Sequence, residues 1–241
     1  MPSERKVTLA EFEAHLGNTA VPRRIDEVIV HHTWSPTAAQ YAGISTVAGV
    51  RRYHMQVRGW SDNGYHVMVP PVRNEVFLCR PLARSGAHCL NHNTHSVGVS
   101  FIADFDKEDP QRYGGMEEGV QVVAALCRRF GLPVSDVRFH REFADKSCPG
   151  TKMSLSWFRT RVQVALADGS DEDGEDGEEG SNALRVVLLD GSEFGTVVDC
   201  AARLEEGTTR CGLRALAEAL GYVVTPHIDD QGKVYLRKGG E

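Results

Sequence analysis

Residues 116–150, MEEGVQVVAALCRRFGLPVSDVRFHREFADKSCPG, hold a helix, its stop, a strand and a knot of reactive side chains in one run. Val120, Val123, Ala124 and Cys127 recur at the spacing of an inward-facing helical stripe, so Met116 to Phe130 is predicted to be an amphipathic helix with Cys127 in the core. Gly131-Leu132-Pro133 ends it, because proline cannot continue a helix. Val137-Arg138-Phe139 then reads as a short buried strand that delivers His140 at its tip. Cys148 follows eight residues later, with Lys146 between and a Cys148-Pro149-Gly150 turn.

Upstream, Glu27 to Thr33 reads as a strand with Val28, Val30 and His32 on one face and Ile29, His31 and Thr33 on the other, so one histidine of the pair points away from any shared site. Val47, Val50, His54 and Val57 form one stripe of a helix ending at Gly59, and His54 is assigned to that helix face rather than to a ligand set. Tyr65 to Val69, Glu75 to Cys79 and Ser96 to Ile102 are strand-like, separated by Pro70-Pro71 and by a Gly/Asn/His-rich loop. Leu155 to Leu166 closes the region as a helix. Strands alternating with helices predict an α/β fold, a mixed central β-sheet covered by helices.

Composition divides the 241 residues in two. Residues 168–180 hold eight acids, four glycines and no large apolar side chain, which cannot offset chain entropy by burial; they are expected to be a disordered linker spanning roughly 20 Å. Residues 1–167 carry 20 Lys+Arg against 16 Asp+Glu, the linker 0 against 8, and residues 181–241 carry 7 against 9. The overall charge of −6 therefore hides a mildly basic first domain suited to an anionic polymer. Its arginines are scattered rather than gathered in a stripe, so nucleic acid is not an expected partner. No run approaches a membrane span, and MPSERKVTLAEFEAH lacks the apolar core of a signal peptide, so the chain is expected to be made in the cytoplasm. Six cysteines show no repeated C-x-x-C spacing. In the second domain, a small α+β unit over 181–241, strands are expected at Leu184 to Leu189 and Lys233 to Arg237, a hairpin over Val197 to Arg210 and a helix over Leu213 to Leu220. A turn at Glu205-Glu206 would set Cys200 opposite Cys211; a disulfide is geometrically open there, and a reduced pair is expected in the cytosol.

His31, His140 and Cys148 are ligand types that zinc takes readily, and three protein ligands with an open fourth position make a catalytic site. Amide hydrolysis would also need a group to meet the oxyanion and one to move a proton; Lys146 and Tyr65 are the candidates, and either could do either job. Cys148 with His140 as base would alternatively make a thiol nucleophile, a reading that His31 and Lys146 weigh against. His66, His88, His92 and His95 are assigned to loop hydrogen bonds or a groove wall, one of them able to carry a proton, and Glu142 to a ligand-orienting or a surface role.

The strings IVHHTWSPT (29–37), RGWSDNGYHVMVP (58–70), GAHCLNHNTHSVGVSF (86–101) and VRFHREFADKSCPGTK (137–152) resemble, in order and spacing, the zinc N-acetylmuramoyl-L-alanine amidases of the peptidoglycan-recognition and phage-lysozyme type. The resemblance covers about residues 20 to 165. It implies metal ligands at His31, His140 and Cys148, site residues at Tyr65 and Lys146, and an open groove for glycan and peptide flanked by Trp60, Asn91 and His92. Relatives that recycle muropeptides in the cytoplasm carry aspartate at the third ligand position, and recognition proteins that have lost the cysteine have lost the activity; Cys148 places this chain with the phage-lysozyme and animal branch. The implied reaction is cleavage of the amide between N-acetylmuramic acid and L-alanine in bacterial peptidoglycan.

Residues 183–238, with ARLEEGTT, LRALAEALGY and VYLRK, resemble a small domain found at the N-terminus of some copper amine oxidases and in bacterial surface proteins, which implies wall attachment or self-association and no copper. Together these imply an endolysin acting at the wall after release, against the alternatives of a recycling enzyme and a non-catalytic recognition module.

Overall fold

The run Glu27–His32 is buried along its whole length, as an interior strand of a parallel region must be. The computed structural model describes residues 4–168 and, beyond them, the four strands 185–189, 196–199, 222–228 and 234–238. The chain divides into two compact units, Met1–Ser170 and Asp171–Glu241. In the first the elements run β1 (Arg5–Val7), α1 (Leu9–Asn18), β2 (Glu27–His32), α2 (Ile44–Gln56), β3 (Val67–Val69), β4 (Val76–Leu78), β5 (Ser96–Phe101), α3 (Met116–Phe130), β6 (Val137–Phe139) and α4 (Leu155–Asp168). The sheet order is β1-β4-β3-β5-β2-β6. β3, β5, β2 and β6 are mutually parallel, while β4 and β1 join antiparallel at one edge.

The sheet is mixed and helix-covered, as expected. Val28 and Val30 face a core shared with Phe12 of α1, Val120 and Val123 of α3 and Phe158 of α4. Full burial of each such side chain contributes roughly 1.5–3 kcal/mol. The other face is covered in part by α2, whose Val47 and Val50 pack on Met68, Phe77, Cys79 and Ile102. His31, out of phase with Val28 and Val30, lies on this second face.

α3 has the predicted bounds, and its stop is Gly131 at φ 65°, where Leu132 N–H donates to Cys127 O at 3.0 Å. β1 and α1 were not anticipated. Thr8 and Glu11 form a reciprocal capping box, a T-x-x-E signal present in the sequence, and Arg129 Nε donates to Leu16 O at the far end of α1. None of the described helices is long and apolar enough to cross a membrane.

In the second unit β7 (Arg185–Leu189), β8 (Thr196–Asp199), β9 (Tyr222–Ile228) and β10 (Val234–Lys238) form a sheet in the order β8-β7-β10-β9. Thr196–Asp199, which overlaps the start of the hairpin expected over 197–210, pairs antiparallel with β7, with Val186 opposite Val198; the remainder of that hairpin lies outside the described residues. A run of apolar β-branched residues specifies a strand but not its partner. β9 was not anticipated. The acidic linker beyond Asp168, Cys200, Cys211 and the helix expected at 213–220 lie outside the described residues.

Candidate metal centre

Two adjacent parallel strands bring the three candidate ligands together. β2 presents His31, which is 1% exposed, and the register that sets Val30 beside Phe139 places the end of β6 next to it. A 3-10 turn, His140–Glu142, starts there. The imidazoles of His31 and His140 lie with ring centroids 4.5 Å apart, Cys148 Sγ is 3.6 Å from His31 Nδ1, and one ligand atom from each of the three lies within 4.8 Å of the others. His32 points to the opposite face, where its Nδ1 accepts the Phe105 N–H at 3.1 Å.

The loop carrying Cys148 is held by contacts that sequence reasoning did not single out. Arg141 donates to Gly150 O and Met153 O, both at 2.7 Å, and its N–H donates to Cys148 O at 2.7 Å. Asp106 accepts from Ser147 Oγ at 2.7 Å and Thr151 N at 2.8 Å. Gly150, at φ 114°, has no room for a side chain: a Cβ would lie 2.4 Å from the Phe105 carbonyl carbon. Glu142 does not touch a candidate ligand's ring; its carboxylate accepts from the Phe139 N–H at 2.6 Å and from Arg138, fixing the turn that begins at His140.

Burial, helped by the Lys146 charge, pushes His140 down to about 4, and burial drives His31 well below the usual imidazole range. Both rings are therefore neutral near pH 7 and keep a lone pair. Burial also pushes the Cys148 thiol up to about 12. Two neutral imidazoles and one thiol, with His140 bordering an open groove, fit a three-ligand zinc centre, in which the cation displaces the thiol proton. Tyr65, its ring 5.1 Å from that of His31, is raised above the ordinary phenol range by burial and by Cys148, so it stays a donor. The Ser100 side chain, opposite His31 in β5 and beside Tyr65, is a buried hydroxyl whose contact falls short of hydrogen-bond geometry; a polar guest in this corner would satisfy it.

His88 is the site residue that the sequence left among the loop histidines. Its Nδ1 is 3.0 Å from His31 Nε2, and its Nε2 is 3.3 Å from Ser96 Oγ. Ser96 Oγ donates to His92 O at 2.7 Å, so it must accept from His88 Nε2–H. His88 Nδ1 is then an acceptor, His31 Nε2 carries the proton, and His31 Nδ1 is left with its lone pair toward Cys148. Two glycines make the space: a Cβ at Gly86 or Gly98 would come within 2.4 or 2.6 Å of the His88 ring. A glycine inside the Ser96–Phe101 strand was the readable sign of that close approach.

Beside His140 runs a groove of about 600 Å³, lined among others by Tyr53, His54, Trp60, Phe143 and Lys146. Tyr65 and Lys146 both line it. The Trp60 ring lies 4.7 Å from that of His54, tilted by 32°, and His54 Nδ1 accepts the Gly64 N–H. Asn91 and His92 are not among the lining residues. Asn91 sits at φ 66° on the rim loop, and the His92 ring is turned onto Phe143 at 3.8 Å and Glu27 at 2.6 Å.

Residues 21–151 match the family model described as N-acetylmuramoyl-L-alanine amidase. Peptidoglycan-recognition protein SC1a of Drosophila melanogaster is 28% identical over 148 residues, 59% of this chain and 74% of that protein. The N-acetylmuramoyl-L-alanine amidase of Sus scrofa is 27% identical over 143 residues, 56% of this chain and 24% of that protein. Among solved structures, the endolysin N-acetylmuramoyl-L-alanine amidase LysCS from Clostridium intestinale shares the fold at TM-score 0.50 and 18% identity, covering 58% of this chain and 85% of that one.

Proposed function

The chain belongs to the N-acetylmuramoyl-L-alanine amidase family, and from that premise we propose that it is a zinc hydrolase which cleaves the amide between N-acetylmuramic acid and L-alanine in peptidoglycan. The observation that carries the proposal is the convergence of His31, His140 and Cys148 within 4.8 Å, with His140 lining a groove that Tyr65 and Lys146 also line.

Zinc held by these three residues would supply Lewis-acid polarisation of the scissile carbonyl and activation of water at neutral pH. The remaining work falls to the chain itself. Lys146, exposed at the groove edge, brings a cation to the developing oxyanion, and the Tyr65 phenol, kept protonated by its burial, donates a hydrogen bond or passes a proton toward the leaving nitrogen. His54 and Trp60, their rings in contact and tilted by 32°, form an aromatic patch of the groove lining against which a sugar or peptide segment can lie. A thiol-nucleophile mechanism is disfavoured by the same environment, since a thiol pushed up to about 12 is a weak nucleophile at neutral pH.

The biological role proposed is that of an endolysin, with the second unit attaching the enzyme to the wall or to itself. Cysteine as third ligand and the appended second unit support this over a recycling role. A recognition role without turnover is the second reading, favoured by the relatives named for peptidoglycan recognition. The test is to strip the protein of metal, restore zinc, and incubate each form with purified peptidoglycan, counting stem peptides with new L-alanine amino termini by mass spectrometry. Zinc-dependent release is expected. Binding of the polymer without release would establish the recognition reading instead.

A further inference from the structure

At the other end of β2, Glu27 shares a strand face with His31, four residues and about 13 Å away at ~3.3 Å per residue. Its side chain is almost enclosed, with the residue 8% exposed. A carboxyl group so placed needs polar partners, and the two it meets are imidazoles: His92 Nδ1 at 2.6 Å and His95 Nε2 at 3.4 Å, both from the same oxygen. The two histidines come from one turn, in which His95 N–H donates to His92 O at 3.3 Å, and their rings lie 5.4 Å apart. One ligand atom from each of the three residues falls within 4.8 Å of the others.

The surroundings have the form of a ligand shell. His95 keeps its outer nitrogen, Nδ1, against Thr94 Oγ1 at 3.3 Å, and Phe143 lies on the His92 ring with centroids 3.8 Å apart, so neither imidazole is free to swing away. Two imidazoles and a carboxylate suit a first-row divalent cation and supply three of its four positions.

We propose that Glu27, His92 and His95 form a second divalent-metal site, separate from the groove, that clamps the rim loop to β2. The same loop presents His88 and Asn93 to the groove, and Ser96 ties His88 to the His92 carbonyl. An ion in the clamp would therefore brace the support of His31 from outside the reaction site.

The test uses the full chain with any affinity tag removed and its metal stripped. Titration with Zn²⁺ is expected to show two equivalents per chain, falling to one in His95→Ala, a change in an exposed turn, and to one in Glu27→Gln. Cys148→Ala is also expected to retain one equivalent. With Co²⁺, that variant should show ligand-field absorption without a thiolate charge-transfer band, which His95→Ala in the same chain then abolishes. One equivalent in the wild type that His95→Ala and Glu27→Gln leave in place would overturn the clamp. One equivalent that survives Cys148→Ala but is lost in His95→Ala would support the clamp while removing the groove centre, so the two proposals fail separately.

Discussion

Cys148→Ala is expected to lower kcat/KM on peptidoglycan by about 10³-fold or more, ~4 kcal/mol at 1.36 kcal/mol per decade, and to empty the groove centre of zinc. The expectation follows from the donor set. Cys148 supplies its only anionic ligand, and the two neutral imidazoles left behind offer too little charge to hold a divalent cation in an open site. Cys148→Asp separates this account from a nucleophilic thiol, because a carboxylate can ligate zinc but cannot replace sulfur in acyl transfer. Aspartate is expected to recover zinc binding and a measurable part of the turnover. Equal inactivity of both variants with zinc still bound would favour the thiol.

His88→Ala is expected to weaken zinc binding by about 10- to 100-fold, the range found when a partner that orients a ligand histidine is removed. The effect should appear in metal affinity before it appears in kcat, since His88 holds the tautomer of His31. His88→Asn provides the control: its carboxamide oxygen takes nearly the place of Nδ1 and can accept from His31 Nε2–H, so most of the affinity should return. If alanine and asparagine lower affinity equally, His88 serves only to fill the space above Gly86 and Gly98.

The elements that could be read from the sequence are those with local signals strong enough to stand alone. α3 carries a regular stripe and a glycine-proline stop, and Val137–Phe139 is bounded by turns on both sides. The alternation in Glu27–His32 was sufficient to send His31 and His32 to opposite faces. β1 and α1 escaped because three residues make no periodic pattern, although the Thr8/Glu11 capping box marked the helix start. Pairing is the harder inference. Thr196–Asp199 has no feature that names β7 as its partner.

The site shows the same division. His31, His140 and Cys148 stood out because few residue types ligate zinc, and parallel pairing of β2 with β6 brings the first two together. His88 and Arg141 did not stand out. Their roles depend on contacts 57 residues apart for His31 with His88, and on backbone carbonyls that any sequence possesses. Asn91 and His92 were placed by their loop, but a loop position does not fix a side-chain direction, and the His92 ring turns toward Glu27 and Phe143.

The most direct test of the groove centre is a Co²⁺ titration of the metal-stripped full chain, followed in parallel by near-ultraviolet absorption and by release of L-alanine amino termini from peptidoglycan. The account predicts a thiolate-to-cobalt charge-transfer band whose final amplitude corresponds to one thiolate-bound cobalt per chain, with activity rising in proportion to the band and neither signal in Cys148→Ala. Full activity in the metal-free protein, or activity that rises without the band, would contradict it.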